Sequence, residues 1–170
     1  MSNIEGIEYH TISVLVDNEA GVLARVAGMF SGRGYNISSL TVAEVDAEKR
    51  ISRINIVTRG TPQIIEQIKA QLGRLVPVHR VVDLTVEGPS VERELAVIKV
   101  AGSGEKRVEA LRIADIFRAR VVDSTNESFI FEIVGRTQKL DAFIRLMSPL
   151  GLVELSRTGV VAISRGAEAL

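Results

Sequence analysis

The residues best suited to hold a small molecule stand together in Asp17-Asn18-Glu19-Ala20-Gly21-Val22, where an apolar strand-like segment gives way to an amphipathic helix-like one. A helix N-terminus presents unpaired N–H groups and the positive end of the helix dipole, so it can hold a carboxylate without any basic side chain. The same stretch also reads as an ordinary helix start, with Asp17 or Asn18 as its cap. Other chemistry is sparse. His10 and His79 are the two histidines, and neither has an Asp or Glu at metal-binding helical spacing. Both read as ordinary surface or strand-end residues. Carboxylates fall nearly all at solvent-facing helix or turn positions, and no Gly-rich phosphate loop, nucleophile elbow or paired-metal pattern is present. The sequence offers no catalytic residue and no metal site; it reads as a binding module.

Composition supports a globular chain. Its 170 residues suffice for one large domain or two small ones, and a hydrophobic content of 46% suffices for a core. Formal charge sums to +0, with no like-charge block to give a basic face for nucleic acid or a polybasic patch for a membrane. Cysteine is absent, which excludes disulfides, thiolate nucleophiles and Cys-ligated metals and fits a reducing compartment. Met1 to Tyr9 lacks a basic flank followed by an apolar run, and no apolar stretch approaches the roughly 20 residues that span a bilayer. The expectation is a cytoplasmic protein with no nucleic-acid and no membrane partner.

These residues need elements to position them. Thr11 to Val16 alternates as a strand, with Ile12, Val14 and Val16 on one face. Val22, Val26, Met29 and Phe30 then fall at helical spacing, Gly34 suits the left-handed residue that closes the helix, and Gly28 suggests close packing on another backbone. A second strand runs from Ile37 to Val45. A third, Ser52 to Thr58, has Ile54 and Ile56 inward and Arg53 and Asn55 outward. Thr61-Pro62 opens a helix with Ile64, Ile65, Ile68 and Leu72 on its face, and a fourth strand spans Val78 to Val86. After a linker at Glu87-Gly88-Pro89-Ser90 the order repeats: strand Leu95 to Ala101; helix with Val108, Leu111, Ile116 and Phe117 on its apolar side; strands Arg120 to Ser124 and Phe129 to Val134. A helix with Leu140, Phe143, Ile144 and Met147 follows, stopped by Pro149 and Gly151, then an extended segment from Leu152 to Ser164 with a turn near Thr158-Gly159.

Two βαββαβ units in tandem predict an α+β chain of two ferredoxin-like domains, 1–87 and 88–170, each a four-stranded sheet with both helices on one face. The second strand of such a unit lies on an edge. From Ile37 to Glu44 that edge carries neither Pro nor Lys, and pairing with the same edge of a second copy would cover it. A homodimer through this strand is expected. Acylphosphatases share the architecture, but their phosphate loop is Gly-rich with an Arg inside it, which Asp17 to Val22 lacks. RNA-recognition motifs need rings on the central strands, where Ile12, Val14, Ile54 and Ile56 stand.

The stretch HTISVLVDNEAGVLARVAGMFSGRGYNISSLTVAEV, ending at Val45, resembles an ACT domain, the amino-acid-sensing version of this fold. VERELAVIKV at Val91 to Val100, ADIFRARVVD at Ala114 to Asp123, KLDAFIRLM at Lys139 to Met147 and RTGVVAISRG at Arg157 to Gly166 together resemble the regulatory small subunit of acetohydroxyacid synthase (acetolactate synthase). The resemblance covers nearly the whole chain.

That resemblance implies a non-catalytic regulatory subunit that raises the activity of a catalytic large subunit and confers feedback inhibition by valine in branched-chain amino-acid biosynthesis. Thiamine diphosphate, FAD and Mg²⁺ would belong to the catalytic subunit and no cofactor to this one. It also implies an effector site between two ACT domains, where Asn18, Ala20, Gly21, Val22 and Leu23 of one copy face Asn36 and Ile37 of the other. The chemistry suits the residues: N–H groups of Gly21 and Val22 for the carboxylate, Asn18 and Asn36 carbonyls for the ammonium, Ile37 and Leu23 for the apolar wall, Leu23 being equally a core candidate. Such a pocket separates valine from leucine or isoleucine only modestly, since one methylene is worth about 1–3 kcal/mol. A generic ACT-type sensor for another enzyme is the alternative. In the second domain Arg157 and Arg165 read as salt-bridged surface residues rather than contacts with the catalytic subunit.

Overall fold

The computed structural model describes residues 6–170; the beginning of the Met1 to Tyr9 stretch lies outside them. Period-2 alternation builds β1 (Glu8–Asp17), whose Ile12, Val14 and Val16 are buried. Helix α1 (Val22–Gly32) follows, burying Val22, Val26 and Phe30, and then β2 (Ile37–Asp46) and β3 (Ile51–Gly60). Helix α2 (Pro62–Gly73) starts as expected, with Pro62 in its first turn and Thr61 Oγ1 accepting from the Ile64 N–H at 3.3 Å. β4 (Val78–Asp83) completes an antiparallel sheet of order β2-β3-β1-β4. Core residues of β1 and β3 pack with those of α1 and α2 in one cluster, so both helices cover one face.

The second unit repeats the plan: β5 (Ser90–Ala101), α3 (Gly104–Ile116), β6 (Arg120–Ser124), β7 (Ser128–Gly135), α4 (Thr137–Met147), a 3₁₀ turn at Ser148–Leu150 and β8 (Leu152–Arg157). Its sheet has the order β6-β7-β5-β8, and a fifth strand, β9 (Val161–Ser164), also pairs with β5. Phe129, Phe131 and Phe143 form its aromatic centre. Both sheets have the ferredoxin-like strand order.

By packing, one compact unit runs to Val91 and takes in Val160–Leu170; the other is Glu92–Gly159. The stretch 160–170, assigned by sequence to the second domain, packs with the first unit, while its strand pairs with β5. It contains β9 (Val161–Ser164) and lies on the sheet face opposite the helices, where Val160 and Ala162 are buried with Val82 and Leu84.

Four expectations change, the first through this covering. Arg53 and Asn55 do point away from the helices, but Asn55 is only 5% exposed because the C-terminal segment lies over it. Burial lowers the Arg53 guanidinium pKa. Strand β4 ends at Asp83, and Val86 is exposed instead of continuing the alternation. In the second unit, α3 buries Ala110, Ile113 and Ala114, while Val108, Leu111 and Ile116 are exposed. The two alanines let the helix lie close to its sheet, and of the four residues read as its apolar side only Phe117, at the helix end, packs against the core. Gly28 has no neighbour within 4 Å of a built Cβ, so close packing does not explain it.

Gly34 closes α1 at φ +70°. Gly151 is more constrained: at φ +106° an added Cβ would meet the Ala101 carbonyl oxygen at 1.9 Å. Gly151→Ala is expected to cost about 3 kcal/mol, from left-handed strain plus overpacking, read as a lowered midpoint in urea unfolding; an unchanged midpoint would contradict this placement.

Candidate effector site

The β1 to α1 loop is held at its base by the backbone. The Asp17 N–H donates to Pro77 O at 2.9 Å, the Asn18 N–H to Arg50 O at 2.7 Å and the Glu19 N–H to Asp17 O at 3.0 Å. Neither predicted cap performs that role, because both side chains are engaged elsewhere. The Asp17 carboxylate meets His79 Nε2 at 2.5 Å, and the Asn18 amide donates to the Glu44 carboxylate of β2. Arg50 Nη2 donates to Asn18 O at 3.4 Å.

Gly21 itself is the N-cap, in the left-handed region at φ +86°, with no side-chain cap bond and no acidic residue in the first turn of α1. The first helical bond runs from the Arg25 N–H to Gly21 O at 3.0 Å. The terminal N–H groups before it are the intrinsic orphans of any helix start. The positive end of α1 is thus left without a carboxylate from its own first turn.

Asn18, Ala20 and Gly21 are exposed. Val22 is not: its side chain anchors α1 in the core, which leaves only its backbone for a ligand. Leu23, ambiguous in the sequence, is 42% exposed and outside the core. Asn36 is exposed, with its carbonyl accepting from Thr58 Oγ1 at 2.7 Å, and Ile37 is half-buried against the core. Within one chain these two groups do not meet. Asp17 is opposite Ile51 on β3 and Ile37 is opposite Thr58, which separates them along the sheet by about 23 Å at roughly 3.3 Å per residue.

Glu44 and Arg50 were missed as neighbours of Asn18. The signal lay in the hairpin: the polar turn 46–50 returns the chain to β3 at the end of β1 where the loop begins, with Glu44 opposite Ser52.

Residues 12–80 match the family model described as AHAS small subunit-like ACT domain, and residues 93–166 match the one described as small subunit of acetolactate synthase. The probable acetolactate synthase small subunit of Archaeoglobus fulgidus is 48% identical over 157 residues, covering 92% of this chain and 97% of its own. The chain belongs to the acetolactate synthase small-subunit family. Another small-subunit relative, that of isozyme 3 from Salmonella typhimurium, is 45% identical over 91% of this chain and 94% of its own. The crystal structure of the small subunit from Thermotoga maritima superposes with a TM-score of 0.84 at 39% identity, covering 95% of this chain and 99% of that one.

Two polar centres of this small-subunit chain lie away from the loop. His10, read as an ordinary surface or strand-end residue, is 7% exposed, with Nδ1 at 2.7 Å from the buried Asp83 carboxylate, which also accepts from the Thr85 N–H at 3.0 Å. Glu87 accepts from the Asp83 N–H and from Lys69 Nζ, the latter at 2.7 Å, and the Lys69 bond holds the Glu87 carboxyl below its ordinary pKa. That contribution to stability is present above the ordinary carboxylate range and is lost as pH falls through the lowered pKa. In the second unit Arg157 grips Glu94 at 2.8 and 2.9 Å and Asp141 at 2.8 Å. The hydrogen bonds to Glu94 raise the Arg157 guanidinium pKa above its ordinary value against the opposing effect of burial. Arg165 Nε instead donates to Ser90 O at 3.3 Å.

Among the described residues no group of three His, Asp, Glu or Cys is placed to hold a metal ion, and no helix is long and apolar enough to cross a membrane. Asp83→Ala leaves buried His10 without its partner and is expected to cost about 1–3 kcal/mol, read by chemical denaturation. A loss below a few tenths would show the pair to be dispensable.

Proposed function

We propose that this chain is the regulatory subunit of acetohydroxyacid synthase, binding valine at a site shared by two copies. By that binding it confers feedback inhibition on a catalytic large subunit whose activity it otherwise raises. On this reading the chain is non-catalytic and carries no cofactor, and thiamine diphosphate, FAD and Mg²⁺ reside in the partner. Leucine or isoleucine would compete at the same site, given the modest energy of one methylene.

One observation carries the shared-site reading: the two residue groups stand at opposite ends of one sheet, and β2 is an edge strand. Antiparallel pairing of β2 with its own copy about a two-fold axis near Leu40 and Thr41 would set Ile37 of one chain against Glu44 of the other. Glu44 is bonded to Asn18. The pairing would therefore complete a compartment with an uncapped helix N-terminus for a carboxylate, two asparagines for an ammonium, and Ile37 and Leu23 for a branched apolar group.

Added to the catalytic subunit, the chain is expected to increase acetolactate formation, and valine to suppress that increase. Absence of both effects would overturn the reading. Gly21→Asp should abolish the valine response, because it puts a carboxylate where the ligand's own would bind. Gly21→Ala carries the left-handed strain, about 1–2 kcal/mol, without the charge, and should retain most of the response. Undiminished valine binding by Gly21→Asp in calorimetry would reject the site.

A shared site also predicts complementation. Asn18→Ala and Asn36→Ala chains should each fail to bind valine alone, yet recover about a quarter of wild-type sites when co-refolded, since each mixed dimer has one intact site. No recovery in a mixture proven to contain mixed dimers would place the site within a single chain.

A further inference from the structure

We propose that Glu44 is a positioning residue that makes the effector site selective for an α-amino acid over the 2-oxo acid of the same carbon skeleton, by fixing Asn18 with its amide oxygen free to meet an ammonium. The selectivity rests on the site reading above; the hold on Asn18 rests on contacts within the chain.

The β2 to β3 hairpin holds Asn18 at three points. The Asn18 N–H donates to Arg50 O at 2.7 Å and Arg50 Nη2 donates to Asn18 O at 3.4 Å, so one residue engages both backbone groups. Arg50 does this from the left-handed region, at φ +53°, where residues other than glycine are disfavoured. The third point is the side chain, whose Nδ2 donates to the Glu44 carboxylate. With the backbone tied, rotation of the amide is the freedom that Glu44 removes.

Glu44 reaches the loop because of register. Leu40 and Val42 are opposite Ile56 and Ile54, both core residues beneath the helices, and one step further along the same face Glu44 is opposite Ser52. Ser52 is also opposite Val16, at the end of β1. The Glu44 side chain therefore leaves β2 on the face that carries α1, at the end of the sheet where α1 begins.

The chemistry of the amide supplies the selectivity. A carboxylate only accepts, so Asn18 must present Nδ2 to it and turn Oδ1 away; the reverse would set oxygen against oxygen. Donation to a carboxylate also polarises the amide and makes Oδ1 the stronger acceptor. An effector whose carboxylate lies on the Gly21 and Val22 N–H groups carries its next polar group one carbon away. An ammonium there completes a chain from cation through amide to carboxylate, with opposite charges at its ends. The oxo oxygen of a 2-oxo acid accepts only, and would meet Oδ1 acceptor to acceptor. On the shared-site reading Ile37 of the second copy covers Glu44, and exclusion of water there strengthens the chain.

The experiment is calorimetry on the full-length chain with valine and with 3-methyl-2-oxobutanoate, the second read by its displacement of valine. Wild type is expected to prefer valine. Glu44→Gln keeps the size of the side chain but lets the Asn18 amide turn either way. Valine should then bind about tenfold more weakly, the lower end of what a hydrogen bond to a charged group is worth, and the oxo acid no more weakly. Glu44→Ala should act in the same direction. General damage to the loop would weaken both ligands alike. That outcome, or unchanged valine affinity in both variants, would overturn the proposal and leave the site reading standing. Tighter valine binding in Glu44→Gln would also overturn it, by showing that Glu44 repels the ligand's carboxylate. Equal affinity of the wild type for the two ligands would overturn the selectivity, and a wild type that binds neither would overturn the site reading with it.

Discussion

The antiparallel ladder β2-β3-β1 is the constraint on which the other features depend. Because side chains alternate strictly along a strand, one register puts Ile12, Val14, Ile54 and Ile56 under the helices and Ser13, Arg53 and Asn55 on the opposite face. A slip of one residue would exchange the two sets. The same ladder fixes the separation of Asn18 from Asn36, since each is tied to a different end of β3. Its register shifts near Ile37 and Asp46 bracket a regular stretch from Ser39 to Glu44, so the unpaired edge is bounded at both ends.

Much of this was legible from local chemistry. Thr61-Pro62 and Gly34 specify their helix ends by hydrogen bonding and by φ, and both act where the sequence places them. The strand order followed from the sequence of elements, and with it the edge position of β2. What the sequence could not show was what lies over a second sheet face. Arg53 and Asn55 have the pattern of solvent-facing residues and become buried through a segment more than a hundred residues away. His10 was misread for a similar reason, since its partner Asp83 arrives from the far edge strand. On α3 the larger apolar residues were favoured over Ala110 and Ala114, although close helix-to-sheet packing selects small side chains.

The candidate site was legible as chemistry and not as geometry. Asn18 and Gly21 were recognisable as groups suited to an amino acid, but their roles were divided differently. Asn18 serves the loop and Glu44 instead of capping, and Gly21 occupies the cap in a conformation that costs other residues about 1–2 kcal/mol. Foregoing a side-chain cap typically costs about 1 kcal/mol. α2 shows that the chain can build such a cap with Thr61. Missing caps alone do not distinguish α1, because α3 and α4 also lack side-chain cap bonds. The setting does: a glycine in the left-handed region, Asn18 beside it, and a carboxylate and a guanidinium both reaching that asparagine.

A site divided between copies would have a thermodynamic consequence of its own. An effector shifts an equilibrium only by its difference in affinity between two states, and a single chain carrying half the contacts is necessarily the weaker binder. On the shared-site reading, effector binding and dimer assembly are linked, so each stabilises the other by an amount set by effector concentration relative to its dissociation constant. The quantity available to a catalytic partner would then be the geometry of the paired β2 edges, not a change inside either hydrophobic core. Those cores are close-packed and resist small continuous deformation. The edge strand, half-exposed and bounded by register shifts, is the part of the first unit that can shift without dismantling its core.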